Sequence, residues 1–303
     1  MKKLVLIIIA IGTFGVLSAQ QLPVYSQYMF NRMLINPGVT GSEPDLPLQL
    51  LVRQQWVGFE NAPSTQMLNG HYCFTQYNMG VGGILFVDRF GHEQKIGINL
   101  NYSYFLPVFD EAKISFGLSF QLFQYRLDYT ELVALDTEDP NIYGSEESKI
   151  VPESDFGVYL YHEDYFAGIS ANQMIGLPIK IAGEEIHMGR LVRQFNIMGG
   201  YKFELNPEFE LEPSALIKTT FKAPSQLDLN VKCIYLKNYW VGLSYRTCND
   251  IITILGIRWK EFDFGIAADF ATSEIASYQH GSYELMVTYR IPMQAKSLGE
   301  RKY

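Results

Sequence analysis

Charge is scarce in this chain of 303 residues: Asp, Glu, Lys and Arg make up 18% of it, against roughly 25% in ordinary soluble domains. The deficit does not mean disorder, because 48% of the residues are apolar and 14% aromatic, and so much apolar side chain drives burial. Bases are the scarcer sign, 24 against 32 acids, for a net charge of −8. Nucleic acid is excluded as a partner, since gripping a phosphate backbone needs a basic surface. Cysteine is nearly missing. Cys73, Cys233 and Cys248 are far apart and odd in number, which excludes both a disulfide framework and a Cys-x-x-Cys metal site. The histidines (His71, His92, His162, His187 and His280) include no i, i+4 pair, so no metal and no other cofactor is expected.

Long apolar runs are missing too, beyond the first nineteen residues. Lys2-Lys3 precede an apolar stretch from Leu4 to Leu17, and Ser18-Ala19 stand before Gln20. This basic, apolar, small-residue order is that of an export signal, and the stretch is shorter than the roughly 20 residues of a spanning helix. Removal of residues 1–19 is therefore expected, and the loss of Lys2 and Lys3 takes the formal charge from −8 to −10. No Cys follows the cut, so no N-terminal lipid anchor is expected.

What the chain has instead is alternation. Ile114, Phe116, Leu118, Phe120 and Leu122 alternate with Ser115, Gly117, Ser119 and Gln121; Leu227, Leu229, Val231, Cys233 and Tyr235 alternate with Asp228, Asn230 and Lys232. Successive side chains of a strand point to opposite faces, so each segment has one apolar and one polar face. Fourteen segments carry the pattern, at about 47–56, 65–75, 79–87, 94–106, 113–127, 155–161, 165–173, 191–204, 208–221, 226–236, 239–247, 251–259, 262–271 and 283–292. Tyr and Phe gather near segment ends on the apolar faces, as in interfacial girdles, while Gly, Ser, Asn and isolated charges suit a wet lumen. Connections after even-numbered segments are tight, and the long ones (128–154, 174–190 and 272–282) follow odd-numbered segments. Outer-membrane barrels pair short periplasmic turns with longer outer loops in this way.

The fold is thus read as all-β: a closed transmembrane antiparallel β-barrel of about 14 strands over 47–292, behind an irregular segment 20–46 and ahead of a tail 293–303. Closure removes the exposed edges of an open sheet. An even strand number and a periplasmic N-terminus put both chain ends on the short-turn side. If Leu236 and Tyr239 flank a Lys237-Asn238 turn, Cys248 faces Leu227. It then lies roughly 20 Å from Cys233, beyond disulfide reach, and Cys233 packs toward lipid.

The irregular segment contains Tyr25-Ser26-Gln27-Tyr28-Met29-Phe30-Asn31 and Ile35-Asn36-Pro37-Gly38-Val39-Thr40-Gly41-Ser42. Arg53-Gln54-Gln55-Trp56-Val57-Gly58-Phe59, Ala62-Pro63-Ser64-Thr65, Gly80-Val81-Gly82-Gly83 and Asp88-Arg89-Phe90-Gly91 follow. These blocks, over residues 25–91, resemble the N-terminal signature of the PorP/SprF family of type IX secretion membrane proteins, with Asn36-Pro37-Gly38 where the family more usually has Asn-Pro-Ala. The resemblance implies an outer-membrane protein of Bacteroidota, in contact with outer-membrane lipid and accessory to the type IX secretion and gliding machinery. Such a protein helps deliver or anchor a secreted surface adhesin, or links to periplasmic subunits of the machine. The resemblance also marks Tyr25, Gln27, Tyr28, Phe30, Asn31, Asn36, Pro37, Gly41, Arg53, Gln55, Trp56, Gly58, Phe59 and Pro63 as plug or partner contacts.

Two readings of segment 20–46 stay open. As a lumen plug, Tyr28, Met29 and Phe30 supply apolar contacts and Asn36-Pro37-Gly38 turns the chain; as a docking element, the segment lies along the periplasmic rim. Alternation sends Arg53 and Gln55 toward the lumen and Trp56 toward the lipid interface, near the outer end of the first strand.

Acid is concentrated at Asp128, Glu131, Asp136, Glu138, Asp139, Glu146, Glu147, Glu153 and Asp155, against Lys149 alone. The stretch reads as a solvated outer loop, without the glycine and terminal Glu of a calcium loop. Catalysis needs a nucleophile, a base and an orienting group within reach. The best pairs, His92 with Asp88 and His280 with Ser277, sit in no such motif, so no enzyme is expected. The alternative function is a solute channel of the hydrophobic-compound, fatty-acid transporter type, in which an N-terminal hatch fills the lumen. Against it, the inward positions Asp228, Lys232, Asp263, Asp269 and Arg290 are charged, unlike an apolar ligand pocket.

Overall fold

The structure, a computed structural model, describes residues 24–109, 111–128, 146–181, 186–221, 223–247 and 250–293. The expected export signal, the middle of the acidic stretch and Cys248 lie outside the described residues. Alternating segments become strands: β1 (Leu46–Gln54), β2 (Ser64–Phe74), β3 (Met79–Phe90), β4 (Glu93–Pro107), β5 (Lys113–Asp128) and β6 (Glu146–Tyr161). Then come β7 (Tyr165–Asn172), β8 (Pro178–Ile181), β9 (Ile186–Arg190), β10 (Gln194–Tyr201), β11 (Phe203–Asn206) and β12 (Phe209–Thr219). The last five are β13 (Gln226–Tyr235), β14 (Tyr239–Arg246), β15 (Asp250–Trp259), β16 (Phe262–Ala271) and β17 (Ser282–Ile291).

β1 to β7, β10 and β12 to β17 form one antiparallel ring of fourteen strands, closed where β17 pairs with β1 and β10 with β12. β11 continues β10 past a break at Lys202 and pairs with the start of β12, while β8 and β9 form a separate hairpin in the connection before β10. One end of the ring carries the short turns, such as 75–78 and 162–164; the other carries the longer connections, such as 55–63 and 272–281. These are called the turn end and the loop end below.

Period two sorts the side chains as expected. Leu118, Leu229 and Leu243 are exposed on the outer wall at 59%, 50% and 57%, whereas their neighbours Ser119, Asn230 and Ser244 are buried inward. Aromatic rings band the outer wall at the turn end: Phe262 stacks on Tyr289 at 4.8 Å and Phe209 meets Tyr235 at 4.7 Å between ring centres. Amphipathic rings of this kind sit at the level of lipid headgroups.

Four local expectations are corrected. Strand β1 ends at Gln54, so Trp56 lies past the strand with a positive φ of 44°; it is half-buried, its ring edge on Phe90 at 6.4 Å. Strand β6 starts at Glu146, well before residue 155, because pairing with the long β5 extends it. Glu153 and Asp155 are accordingly buried inward and not in a solvated loop. The β13–β14 turn holds three residues, so Tyr235 pairs with Tyr239 and Asp228 with Arg246. The slip from the expected register pairs an inward acid with an inward base, the choice that electrostatics favours.

Outward Leu118→Arg should lower stability by about 2–4 kcal/mol, the cost of a cation on the lipid face near the bilayer centre, and Trp259→Arg at the turn-end rim by about 0–1 kcal/mol. Urea unfolding of the protein in lipid vesicles measures both.

Candidate functional site

Residues 24–45 do not alternate, and they do not join the wall. They run down the lumen from the loop end to the turn end in three single 3-10 turns, Tyr28–Phe30, Arg32–Leu34 and Pro37–Val39. The first described residues are therefore at the loop end, contrary to the expectation of a chain start on the short-turn side. Backbone without regular structure is tolerated at membrane depth only when protein buries it and supplies its hydrogen bonds. The inward wall does so at three levels.

At the loop end the Glu284 carboxylate accepts the backbone N–H groups of Ser26 and Gln27 at 2.9 and 2.8 Å. The Ser26 hydroxyl donates to Asp269, and Arg53 binds Ser26 Oγ at 2.8 Å, Asp269 at 2.6 Å and Glu284 at 3.3 Å. All of these side chains are buried. Arg246 adds a second cation, 3.3 Å from Asp228 and 3.6 Å from both Asp250 and Asp269. Two guanidinium groups thus bridge four carboxylates around the head of the segment. With four acids to two bases, such a cluster depends on each carboxylate keeping its guanidinium and hydrogen-bond partners.

In the middle, the Asn31 amide donates to the Gln49 and Asn69 side chains, and Asn230 donates to the Tyr28 hydroxyl at 2.5 Å. Phe30 packs on Trp240 at 5.3 Å, and Arg32 lies over the Phe166 ring at 3.6 Å while binding Glu212 at 2.6 Å.

Below this, the Asn36 side chain accepts the Gly38 N–H at 2.8 Å and donates to the carbonyls of Val158 at 3.0 Å and Ile169 at 3.1 Å. One side chain thereby caps the third turn and ties it to two wall strands. The approach is close because the wall has no side chains there: a Cβ at Gly157 would overlap the Asn36 amide, and one at Gly117 would overlap the Pro37–Gly38 peptide. Ser103 donates to the Thr40 carbonyl and Gly41 N–H donates to His71. At the turn end Glu43 meets Arg290 at 2.6 Å.

Of the marked residues, Tyr25, Gln27, Tyr28, Phe30, Asn31, Asn36, Pro37 and Gly41 all lie in this lumen segment, and Arg53 is its wall anchor. Gln55, Trp56, Gly58, Phe59 and Pro63 lie apart from it. They shape the loop after β1, which is sewn to the loop before β17 by Val57 N–H to Gly281, His280 N–H to Val57 and Trp56 N–H to Ser282. The Gly58 backbone, at φ 110°, lies under the His280 ring, where a Cβ would come within 3.2 Å. Asp88 of the considered His92 pair accepts a hydrogen bond from Thr65. Alternation exposed the inward character of Asp269, but not its meeting, or that of Glu284, with residue 26 across 243 and 258 positions of chain.

The family model for type IX secretion system membrane protein PorP/SprF matches residues 17–289, nearly the whole barrel as well as the lumen segment. The chain belongs to the PorP/SprF family. No curated protein matches it. Among solved structures it is similar to the CymD monoaromatic hydrocarbon channel, at 11% identity and TM-score 0.56, over 90% of this chain and 94% of that one. It is also similar to the toluene transporter TbuX of Ralstonia pickettii, at 11% identity and TM-score 0.51 over 86% and 92%. A FadL homologue of Pseudomonas aeruginosa aligns at 10% identity and TM-score 0.50 over 88% and 94%. At such identities these likenesses show a shared outer-membrane barrel fold and nothing about cargo. The PorP/SprF protein is accordingly an outer-membrane β-barrel associated with type IX secretion.

Gly157→Leu should lift the Asn36 turn off the wall and expose the bond after Arg32 to trypsin, while the barrel keeps its heat-modifiable gel shift. Arg53→Met should cost about 3–5 kcal/mol in urea unfolding, because it leaves Glu284 an uncompensated buried charge and Asp269 only the more distant Arg246.

Proposed function

We propose that this chain is a plugged, non-enzymatic accessory of the type IX secretion machinery, one that helps deliver or anchor a secreted surface protein or links the outer membrane to periplasmic machine components. The observation that carries the reading is the lumen segment, held by buried hydrogen bonds and ion pairs from Ser26 to Glu43. A pore built for solute flux keeps a path; here the segment fills the lumen among the described residues, and one cavity beside it, at Asn99, Asp155 and Lys218, holds about 90 Å³. Above it, Phe123, Tyr125, Leu127 and Val151 of β5 and β6 pack inward with Leu191 into an apolar cluster.

The fatty-acid transporter reading needs an apolar lumen site. One apolar concavity, about 750 Å³, is edged by Leu229, Val231, Leu243 and Tyr245, which belong to the outer wall. It faces acyl chains. With the short turns on the periplasmic side, as in other outer-membrane barrels, the loop end faces a secreted client and the turn end faces the machine.

In planar bilayers the intact protein should show low single-channel conductance, and removal of residues 24–45 should raise it. A deletion strain should lose surface display of a secreted protein while nutrient uptake is unchanged. High conductance of the intact protein together with normal surface display would overturn the proposal in favour of a channel.

A further inference from the structure

At the turn end the lumen opens into a vestibule of about 450 Å³, within the roughly 300–1,000 Å³ of ligand pockets. The plug forms its floor through Phe30, Arg32 and Glu43. Six bases line it (Arg32, Lys202, Lys232, Lys237, Arg258 and Arg290) against four acids, Glu43, Glu210, Glu212 and Asp263. Two of those carboxylates each serve two cations: Glu212 binds Arg32 at 2.6 Å and Lys232 at 2.9 Å, and Asp263 binds Arg258 and Arg290, both at 2.6 Å. Lys237 comes no nearer than 4.0 Å to Glu210, and Lys202 no nearer than 3.9 Å to the exposed Glu163. Positive charge is therefore in surplus, in a concavity whose low-dielectric walls focus its field.

Trp240 is 6% exposed and lines the vestibule, yet its indole Nε1–H has no acceptor; the buried Arg32 Nε–H has none either. Among the described residues, no acceptor of the lining is left buried and unpaired. Both donor atoms are closed off from the vestibule, Trp240 Nε1 against the Gly256 backbone, so the surplus of bases alone sets its preference for an anion.

We infer that this vestibule is a socket for an acidic polypeptide segment of a partner on the turn side of the membrane. A chain fits better than a single small anion because the surplus bases stand apart, Lys202 at the break between β10 and β11 and Lys237 in the turn between β13 and β14, with apolar Phe30, Ile234 and Met286 also in the lining. Carboxylates spaced along a peptide reach both lysines while its aliphatic stems cover the apolar floor. The inference deepens the machine-linking reading and rests on it for the side from which the partner comes.

The test uses the full-length protein in nanodiscs and fluorescein-labelled hexaglutamate and hexalysine peptides, read by anisotropy. Hexaglutamate should bind and hexalysine should not, and binding should weaken steeply as salt rises. The double variant Lys202→Glu, Lys237→Glu, which leaves the plug contacts intact, should weaken hexaglutamate binding about tenfold or more, equivalent to about 1.4 kcal/mol. Equal binding of both peptides, no binding of hexaglutamate to protein that retains its heat-modifiable shift, or an unchanged double variant would overturn the inference. So would full competition by inorganic phosphate at equal carboxylate and phosphate concentration. A protein of low conductance that fails these binding tests loses the socket and keeps the plugged-barrel reading; high conductance strikes at that reading itself.

Discussion

A ring of fourteen strands encloses more space than its own inward side chains can fill. Eight-stranded barrels close on their side chains and rings of sixteen or more leave a water channel; this barrel, between the two, takes its own N-terminal segment inside. That choice constrains the rest. Each N–H and C=O of an irregular segment at membrane depth needs a partner from the wall, so the inward faces carry Ser, Asn, Gln and acids where the segment passes and glycine where it touches. The outward faces answer only to lipid and stay apolar.

The charges follow from the same constraint. Glu284 is placed to accept two successive backbone N–H groups of the segment, a task that favours an ionised carboxylate and therefore a nearby cation. Arg53, directly opposite Glu284 across the β1–β17 seam, supplies that cation and reaches Asp269 with its other nitrogen. The cluster thus closes the ring and holds the plug at once. Desolvation makes such a cluster a poor source of net stability, but it specifies one placement of the segment among the many that a polar lumen could accept.

The two ends differ in kind. At the loop end four carboxylates share two guanidinium groups, largely buried, and an inward apolar cluster of β5 and β6 packs above them. At the turn end the charges are reachable and unevenly matched around an open vestibule. The barrel shared with CymD and TbuX comes from strand chemistry common to outer-membrane proteins, and the family model covers both that wall and the segment that fills it. Asn36 and Pro37 belong to that filling, which is why a motif with no catalytic chemistry can still be specific.

Strand number, face assignment and ring closure were legible in the sequence, because period-two alternation is local and the lipid demands it of every strand. Leu118 outward and Ser119 inward needed no knowledge of any neighbour. The family motif was legible as a string, and the inward direction of Arg53 followed from its place in that string. Its partners did not: Asp269 and Glu284 join it only when the last strands close onto the first, more than two hundred residues away. Register at the Leu236–Asn238 turn and the early start of β6 were likewise decided by pairing with neighbouring strands. The choice of lumen over rim for the N-terminal segment, and its descent from loop end to turn end, belong wholly to the tertiary structure. An irregular segment has no periodicity to read, and only the assembled wall shows which groups can satisfy its backbone.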